Sequence, residues 1–424
     1  MTQAQPKARS SLLRNGDFLK FWGGETLSLF GAQVTTLALP LTAVLEFQAG
    51  PGELGLLGFA QWCPYLALAL VFGVWVDRGR RRPMMIAANL IRMVLIGLVP
   101  LLAAFDQLEI VSLVIITAGV GMASVLFDVS WMSYVPTLVK GPENLVEANG
   151  KLGATSAAAE TAGPGLGGLL VSALTAPIAM AVDAVSYLVS VVTLSLIKVR
   201  EPRPERPETR RRLLPELAEG LRWVAGNRYL RAIALIGCFC NFLTIANNTL
   251  FVLYALQSQG FQPSLIGLTM SLGAIGGVIG AAFSGRVLAK LGVGRTYSAM
   301  VSTVFVGLVL VPVAGGPLPV VVAVFVLAYF LMYGGMSVAN VVILSLRQTI
   351  TPSSLLGRMT AAMRTLMFTG GALGAPAAGL LGSVLGLHGA LWCIAAGAGL
   401  MIVAVVLSPV GRLKEMPPAA EPAS

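Results

Sequence analysis

The sequence of 424 residues has little charge and few of the side chains that carry out redox or metal chemistry. Only 11% of the residues are charged and 56% are hydrophobic, whereas a typical soluble domain carries about 25% charge. There is one histidine, His388, and the four cysteines lie inside apolar runs with no CxxC spacing. These scarcities exclude a soluble enzyme and argue against a disulfide framework. We also expect no metal site and no cofactor.

Apolar runs of about 20 residues, each long enough to cross the hydrocarbon core of a bilayer, recur along the chain. We predict an all-α, polytopic membrane protein with twelve transmembrane helices in two parallel six-helix halves. The predicted spans are residues 18–47, 54–76, 83–105, 109–134, 150–174, 177–198, 229–257, 265–287, 295–314, 318–346, 357–385 and 389–410.

These spans divide the chain into five parts. They are an N-terminal tail (1–17), an N-terminal bundle (18–198), a polar linker (199–228), a C-terminal bundle (229–410) and a C-terminal tail (411–424). Within the linker, Leu213–Trp223 is predicted to form a short amphipathic helix on the inner leaflet.

The net charge of +10 has a topological explanation. The 29 lysines and arginines fall mostly in the two tails, in the linker and in every second loop, and the loops between them carry none. Loops rich in lysine and arginine stay on the cytoplasmic side. The pattern therefore places both termini in the cytoplasm of a plasma-membrane protein. The partners it implies are the lipid bilayer and its anionic lipids rather than nucleic acid.

An internal repeat relates the two halves. A shift of 212 residues places Gly163-Pro164-x-x-Gly167 on Ala375-Pro376-x-x-Gly379, and Gly73 on Gly285. Two parallel halves of six helices joined by a charged linker are the plan of one large class of secondary transporters.

The chain resembles the major facilitator superfamily over essentially its whole length. Within that family it is most similar to the drug and macrolide exporters that include enterobactin-type siderophore exporters. The segment GVWVDRGRRR at 73–82 is similar to the family's loop between spans 2 and 3, although its second glycine comes one position early. Gly163-Pro164-x-x-Gly167-Gly168 is similar to the span 5 motif associated with antiporters. Span 4 lacks the membrane arginine that many proton-coupled exporters carry.

Acidic residues are the most informative class, because no Asp or Glu occurs between Gly220 and Lys414. Any acid that carries protons therefore lies in the first half, and a charge at that depth is normally paired or functional. We expect Glu25 to be the proton-titrating group, and the alternative is a carboxylate that reaches interfacial water. For Asp128 the resemblance implies a gate that holds the loop arginines when the inner side closes, with a direct proton role as the alternative.

Three further roles are predicted. Arg92 and Glu160, which lie at similar depths, are expected to form a structural ion pair, and Asp183 is expected to serve helix packing. The resemblance implies a gating loop that latches to the start of span 11, where plain positive-inside topology is the alternative. Its residues are Gly73, Asp77, Arg78, Arg81, Arg82 and Arg358.

Neutral polar residues are the candidates for substrate contact. They are Gln33, Asn241, Thr244, Asn248 and Asn340, and hydrogen bonding between helices would explain each of them as well. The span 5 and span 11 motifs are expected to act as hinges where the halves rock. Their residues are Gly163, Pro164, Gly167, Gly168, Pro376 and Gly379.

The function predicted from these features is export of an amphipathic small molecule, by proton antiport with alternating access, in a monomeric transporter. A siderophore exporter or a solute symporter on the same fold is the alternative. A polytopic membrane enzyme would need a cluster of His, Asp or Cys at a membrane face, which this sequence lacks. A non-transporting sensor remains open at this point.

Overall fold

The structure, a computed structural model, describes residues 12–139, 141–199, 201 and 213–417. A 3-10 turn over Leu12–Arg14 precedes twelve α-helices, and the described residues contain no strand. The helices are α1 (Gly16–Phe47), α2 (Pro51–Arg78), α3 (Arg81–Ala104), α4 (Ile110–Leu138), α5 (Pro142–Ala173), α6 (Ala176–Ser195), α7 (Leu213–Gly226), α8 (Arg228–Gln257), α9 (Pro263–Leu291), α10 (Val293–Val313), α11 (Leu318–Thr349) and α12 (Leu356–Leu407).

Twelve membrane passes result, because α12 contains two of them and α7 contains none. Gly386 interrupts α12 with a φ of 72°, a left-handed conformation that glycine adopts without steric cost. It separates the predicted spans 11 and 12. Within the described residues, nine helices are long and apolar enough to cross a bilayer by length and composition. The all-α, polytopic fold predicted from the sequence is confirmed.

The first helix of each half begins in the same way. Asn15 precedes α1, and its side chain accepts hydrogen bonds from the backbone N–H groups of Asp17 and Phe18. Asn227 precedes α8 and accepts equivalent bonds from Tyr229 and Leu230. Such N-caps satisfy donors that would otherwise lack partners at a helix start. The two asparagines are related by the 212-residue shift, so the repeat extends to the helix boundaries.

Within each half, the helices pack around one another. In the first half α1 lies against α5 and α6, and α3 and α4 complete the group with α2. In the second half α8 lies against α12, and α11 lies against α9 and α10. The main contacts between halves are α2 with α12 and α5 with α9.

Glycines allow both of these contacts between halves. A Cβ at Gly55 of α2 would lie 2.9 Å from Cα of Gly379 in α12. A Cβ at Gly168 of α5 would lie 3.1 Å from Cα of Gly267 in α9. Such close approach of backbones is typical of small residues at helix interfaces in membranes. Gly55 and Gly267 are related by the 212-residue shift, so the halves meet at two nearly symmetrical places.

The predicted linker helix is present as α7, three residues longer than expected. It lies against α12, and a Cβ at Gly220 would collide with the backbone carbonyl of Arg358. Glu219 accepts a bond from the Arg358 guanidinium at 2.8 Å. The linker helix α7 is therefore attached to the second half. The predicted Arg210 cluster and the ends of both tails lie outside the described residues.

Candidate functional site

Glu25 lies in the interior of the first half. Its side chain is 4% exposed, and one carboxylate oxygen accepts a bond from Nε1 of Trp131 in α4 at 3.1 Å. The other oxygen, Oε2, has no hydrogen-bond partner. A carboxylate buried in this way does not reach interfacial water, which removes the alternative explanation for this residue.

Asp128 lies on the wall of a cavity between the two halves. The hydroxyl of Tyr65 in α2 donates to its carboxylate at 2.7 Å. The cavity has a volume of about 150 Å³ and is lined by α2, α4 and the first part of α12. Arg364 of α12 lines it from the other half and interacts electrostatically with Asp128. One acid of the first half and one base of the second half therefore face the same space.

Arg92 is the buried base of the first half, at 6% exposure. Its guanidinium carbon lies 4.4 Å from the ring centroid of Phe127 and 5.2 Å from that of Tyr187, which are cation–π distances. It interacts electrostatically with both Asp128 and Glu25. Arg92 thus acts on both carboxylates through space, without an ion pair to either of them among the described residues, and we call Glu25, Arg92 and Asp128 the charged cluster.

The predicted ion pair between Arg92 and Glu160 is wrong. Glu160 is exposed, and its carboxylate accepts a bond from Ser156 one turn earlier at 3.1 Å. Similar depth along two helices did not reveal that Arg92 points instead toward α4 and α6. Asp183 is fully buried and accepts bonds from the hydroxyls of Thr35 and Ser186, so it links α1 to α6.

The predicted gating arginines bind other partners. Arg81 pairs with Glu201 at 3.3 Å, and Arg82 donates to the backbone carbonyls of Leu194 and Ser195 at the end of α6. Asp128 does not hold these arginines in this conformation, and its gating role, which was expected when the cytoplasmic side closes, stays a prediction.

The other residues of the predicted latch have other partners or surroundings in this conformation. Arg358 pairs with Glu219 of α7, and Arg78 is exposed at the end of α2. Gly73 has open space where a Cβ would stand, so close packing does not require a glycine there. The Asp77 side chain lies outside the part of the chain that the structure describes.

The second half contains a neutral cavity of about 180 Å³. Three predicted substrate residues, Asn241, Thr244 and Asn248, line it from α8. The hydroxyl of Tyr329 donates to Oδ1 of Asn248 at 3.2 Å. The other lining residues are Cys240, Val304, Met332, Tyr333 and Met336.

The other two predicted substrate residues lie elsewhere. Asn340 is exposed and does not line this cavity, so the structure does not group it with the α8 residues. Gln33 lies in α1, where its side-chain stem occupies the space beside Gly163. It therefore contacts α5.

The predicted hinge motifs form the contacts between halves. The carbonyl of Pro164 and the Cα of Gly168 approach Gly267, and Gly379 approaches Gly55. Gly167 lies against Val34 of α1 within the first half. Pro164 and Pro376 both lie in helix interiors, where proline removes a backbone hydrogen bond.

Sequence reasoning missed four partners of the site: Tyr65, Trp131, Glu201 and Glu219. Each is recognisable only from its neighbour in another helix or in the linker. The sequence places the Trp131 indole at about the depth of Glu25, but the spacing of the two residues does not indicate that they form a hydrogen bond.

Comparison with known proteins identifies the family of this chain. A family model described as Major Facilitator Superfamily matches residues 21–363 and 234–423. The multidrug efflux pump Tap of Mycolicibacterium fortuitum is 26% identical over 92% of this chain and 95% of its own length. The macrolide efflux protein A of Streptococcus pyogenes is 23% identical over 63% and 66%. The enterobactin exporter EntS of Shigella boydii is 28% identical over 82% of each chain.

Solved structures share the same architecture. A bacterial homologue of the iron transporter ferroportin, in an inward-facing state, superposes with a TM-score of 0.73. It is 19% identical, and the match covers 94% of this chain and 99% of that protein. At this identity the likeness establishes the fold alone.

Proposed function

The chain belongs to the Major Facilitator Superfamily, and from that premise we propose that it exports amphipathic small molecules by secondary active transport. Membership makes it a multi-pass membrane transporter rather than an enzyme. The names of the three relatives describe efflux or export, which supports the outward direction. The division into tails, two bundles and linker at 1–17, 18–198, 199–228, 229–410 and 411–424 is part of this proposal.

The observation that carries the proposal is the charged cluster beside a cavity between the halves. Two acids, Glu25 and Asp128, share one buried base, Arg92. Removing a proton from either acid changes the charge balance of the cluster from positive toward negative. A site of this kind can exchange a proton for another cation or hydrogen-bond donor, which is the chemical requirement for antiport.

Asp128 links that exchange to the movement of the halves. An ionised Asp128 attracts Arg364 across the cavity and draws α4 toward α12, whereas a protonated Asp128 does not. Proton binding from one side and release to the other would then alternate with opening and closing. In this view Asp128 has both a proton role and a gating role, with Arg364 rather than the loop arginines as its partner.

The conformation of the molecule fits one stage of such a cycle. The halves are in backbone contact near the starts of α2 and α9, which follow loops free of lysine and arginine. By the positive-inside rule that end is external and both termini are cytoplasmic. We therefore interpret the structure as inward-facing, with the glycine contacts sealing the outer side. We propose that the transporter works as a monomer in the plasma membrane.

The test measures drug uptake into inside-out vesicles whose lumen is more acidic than the medium, so that the pH gradient drives the uptake. A panel of fluorescent cationic and neutral drugs should accumulate in the lumen, and nigericin should abolish the accumulation by collapsing the pH gradient. Glu25→Gln and Asp128→Asn should reduce gradient-driven uptake by about tenfold or more, the scale expected for loss of one charge interaction. Glu46→Gln, an exposed acid at the far end of the same helix α1, is the matched control.

Two results would reject this proposal. One is uptake that is undiminished in both variants, which would remove the coupling role. The other is uptake that does not depend on the gradient. Because EntS is a relative, enterobactin belongs in the panel as the second candidate. Selective transport of the siderophore would favour that function, and accumulation driven by the opposite gradient would indicate a symporter.

A further inference from the structure

The neutral cavity of the second half contains groups suited to an aromatic ligand but no charge. Its polar groups are amides, hydroxyls and a thiol, and its walls include two methionines. The rings of Tyr329 and Tyr333 are stacked, with centroids 6.1 Å apart. Aromatic faces attract cations, yet no acidic residue lines this cavity.

An acid from the other half lies at the same level. The N–H of Gly165 in α5 donates to Oγ of Ser271 in α9 at 2.8 Å, and the two helices run antiparallel. Glu160 lies about 8 Å before Gly165 along α5, and Gly277 lies about 9 Å beyond Ser271 along α9. A Cβ at Gly277 would lie 3.5 Å from Cβ of Tyr333, so Glu160 and Tyr333 are at similar depth.

The charge of Glu160 is also near enough to Tyr333 to act on it through space. The Glu160 carboxylate exerts an electrostatic effect on the Tyr333 phenol across the boundary between the halves. No carboxylate of the second half competes with it, because the sequence has none between Gly220 and Lys414. Glu160 is thus the acid that stands next to the tyrosine wall of the neutral cavity.

Glu160 lacks a counter-ion. Among the described residues no lysine or arginine forms an ion pair with it, and its hydrogen bond comes from the neutral Ser156. An ionisable side chain within a membrane span is costly unless it is paired or faces water. The charge that Arg92 was expected to supply is missing.

We propose that Glu160 and Tyr333 recognise the cationic group of an amphipathic substrate, whose aromatic part enters the neutral cavity beside Tyr329 and Asn248. This inference rests on the proposed export function and names its substrate class as lipophilic aromatic cations. It assigns recognition of the cation to Glu160 and proton coupling to the charged cluster. The two tasks are then carried by different acids.

The experiment measures binding without a gradient, so its outcome is independent of proton coupling. Ethidium, a permanent aromatic cation, is titrated against the purified full-length protein in nanodiscs at fixed pH and followed by fluorescence anisotropy. Nile red serves as the neutral probe. Glu160→Gln should raise the Kd for ethidium by about tenfold, the scale expected for one charge-assisted contact, and leave the Kd for Nile red within about twofold.

Two further variants separate recognition from structural damage. Glu143→Gln, an exposed acid in the first turn of the same helix, should leave both dissociation constants unchanged. Glu160→Asp, which keeps the charge, should recover part of the ethidium affinity. Equal ethidium binding by the parent protein and Glu160→Gln would overturn the proposal. So would an equal loss for both probes, or failure of the parent protein to bind ethidium at all.

Discussion

The two halves of this transporter share a backbone plan and differ in what they bury. A shift of 212 residues places Arg92 on Val304 and Asp128 on Asn340. The same shift places Glu25 on Gly237 and Glu160 on Ala372. Every member of the charged cluster therefore has an uncharged residue at the equivalent position of the other half.

The difference indicates that the two halves have different functions although their backbones are related by symmetry. Both halves have an asparagine N-cap, at the starts of α1 and α8. Both also have a glycine, in α2 and α9, that allows close contact with the other half. What they do not share is charge, since one half holds buried acids and the other holds amides, tyrosines and methionines. A rocking motion needs symmetry in the contacts, whereas proton coupling needs only one titrating site. We therefore expect changes to the buried charges and changes to the shared contacts to have different effects.

The largest effect is expected from removing the buried base of the first half. Arg92→Met leaves Glu25 and Asp128 without the one buried positive charge that acts on both, and leaving a buried charge uncompensated costs about 3–5 kcal/mol of stability. Unfolding of the purified protein in mixed micelles, titrated with SDS, measures the loss. Arg286→Met is the matched control, because Arg286 is exposed near the end of α9.

A double variant distinguishes two causes of this loss of stability. Adding Asp128→Asn to Arg92→Met gives the first half the neutral amide that the second half has at Asn340. If the cost arises from a stranded carboxylate, the double variant should be more stable than Arg92→Met alone. Strictly additive losses would show that Arg92 acts through its packing on Phe127 and Tyr187 instead.

An intermediate effect is expected at the contacts that the halves share. Gly55→Val and Gly267→Val place methyl groups against the backbones of α12 and α5, where a Cβ already lies too close to Gly379 and Pro164. Overpacking of this kind costs about 1–3 kcal/mol, and here it acts on the state that is closed at this end. Vesicle uptake should fall by a similar factor in both variants, by about tenfold.

Gly399→Val is the control for these two changes, because nothing lies within 4 Å of the position of its Cβ. Normal uptake in that variant would exclude a general effect of valine in a helix. A strong effect at Gly55 with none at Gly267, or the reverse, would show that the halves do not close symmetrically.

Features that depend on one helix or on the repeat were predictable from the sequence. The kink at Gly386 lies in the predicted interval between spans 11 and 12, and the amphipathic linker helix includes the predicted 213–223. Of the hinge glycines, Gly168 and Gly379 lie at contacts between the halves, whereas Gly163 and Gly167 pack against α1 within the first half. These features follow from local chain chemistry and periodicity, which a sequence contains.

Side-chain partners across helices could not be predicted in the same way. Depth along a span gave the level of Arg92 and Glu160, but helix rotation decides which face each side chain occupies. Arg92 therefore lies on Phe127 and Tyr187, and Glu160 has Ser156 rather than a described lysine or arginine as its partner. Asp128 meets Tyr65 and Arg364 for the same reason, because the loop arginines are occupied by Glu201 and by the end of α6.

The smallest effect is expected at the linker helix α7, whose main contacts are with α8 and α12 of the second half. Glu219 and Arg358 form an ion pair at 2.8 Å with side chains 45% and 38% exposed, and exposed pairs contribute about 0–1 kcal/mol. Arg358→Gln should therefore change the SDS unfolding midpoint little. Gly220→Val should have a larger effect, because a Cβ there meets the Arg358 carbonyl and would force α7 away from α12. Limited trypsin cleavage within α7 reports this detachment, and faster cleavage in Arg358→Gln than in Gly220→Val would show that the ion pair, not close backbone packing, attaches the linker.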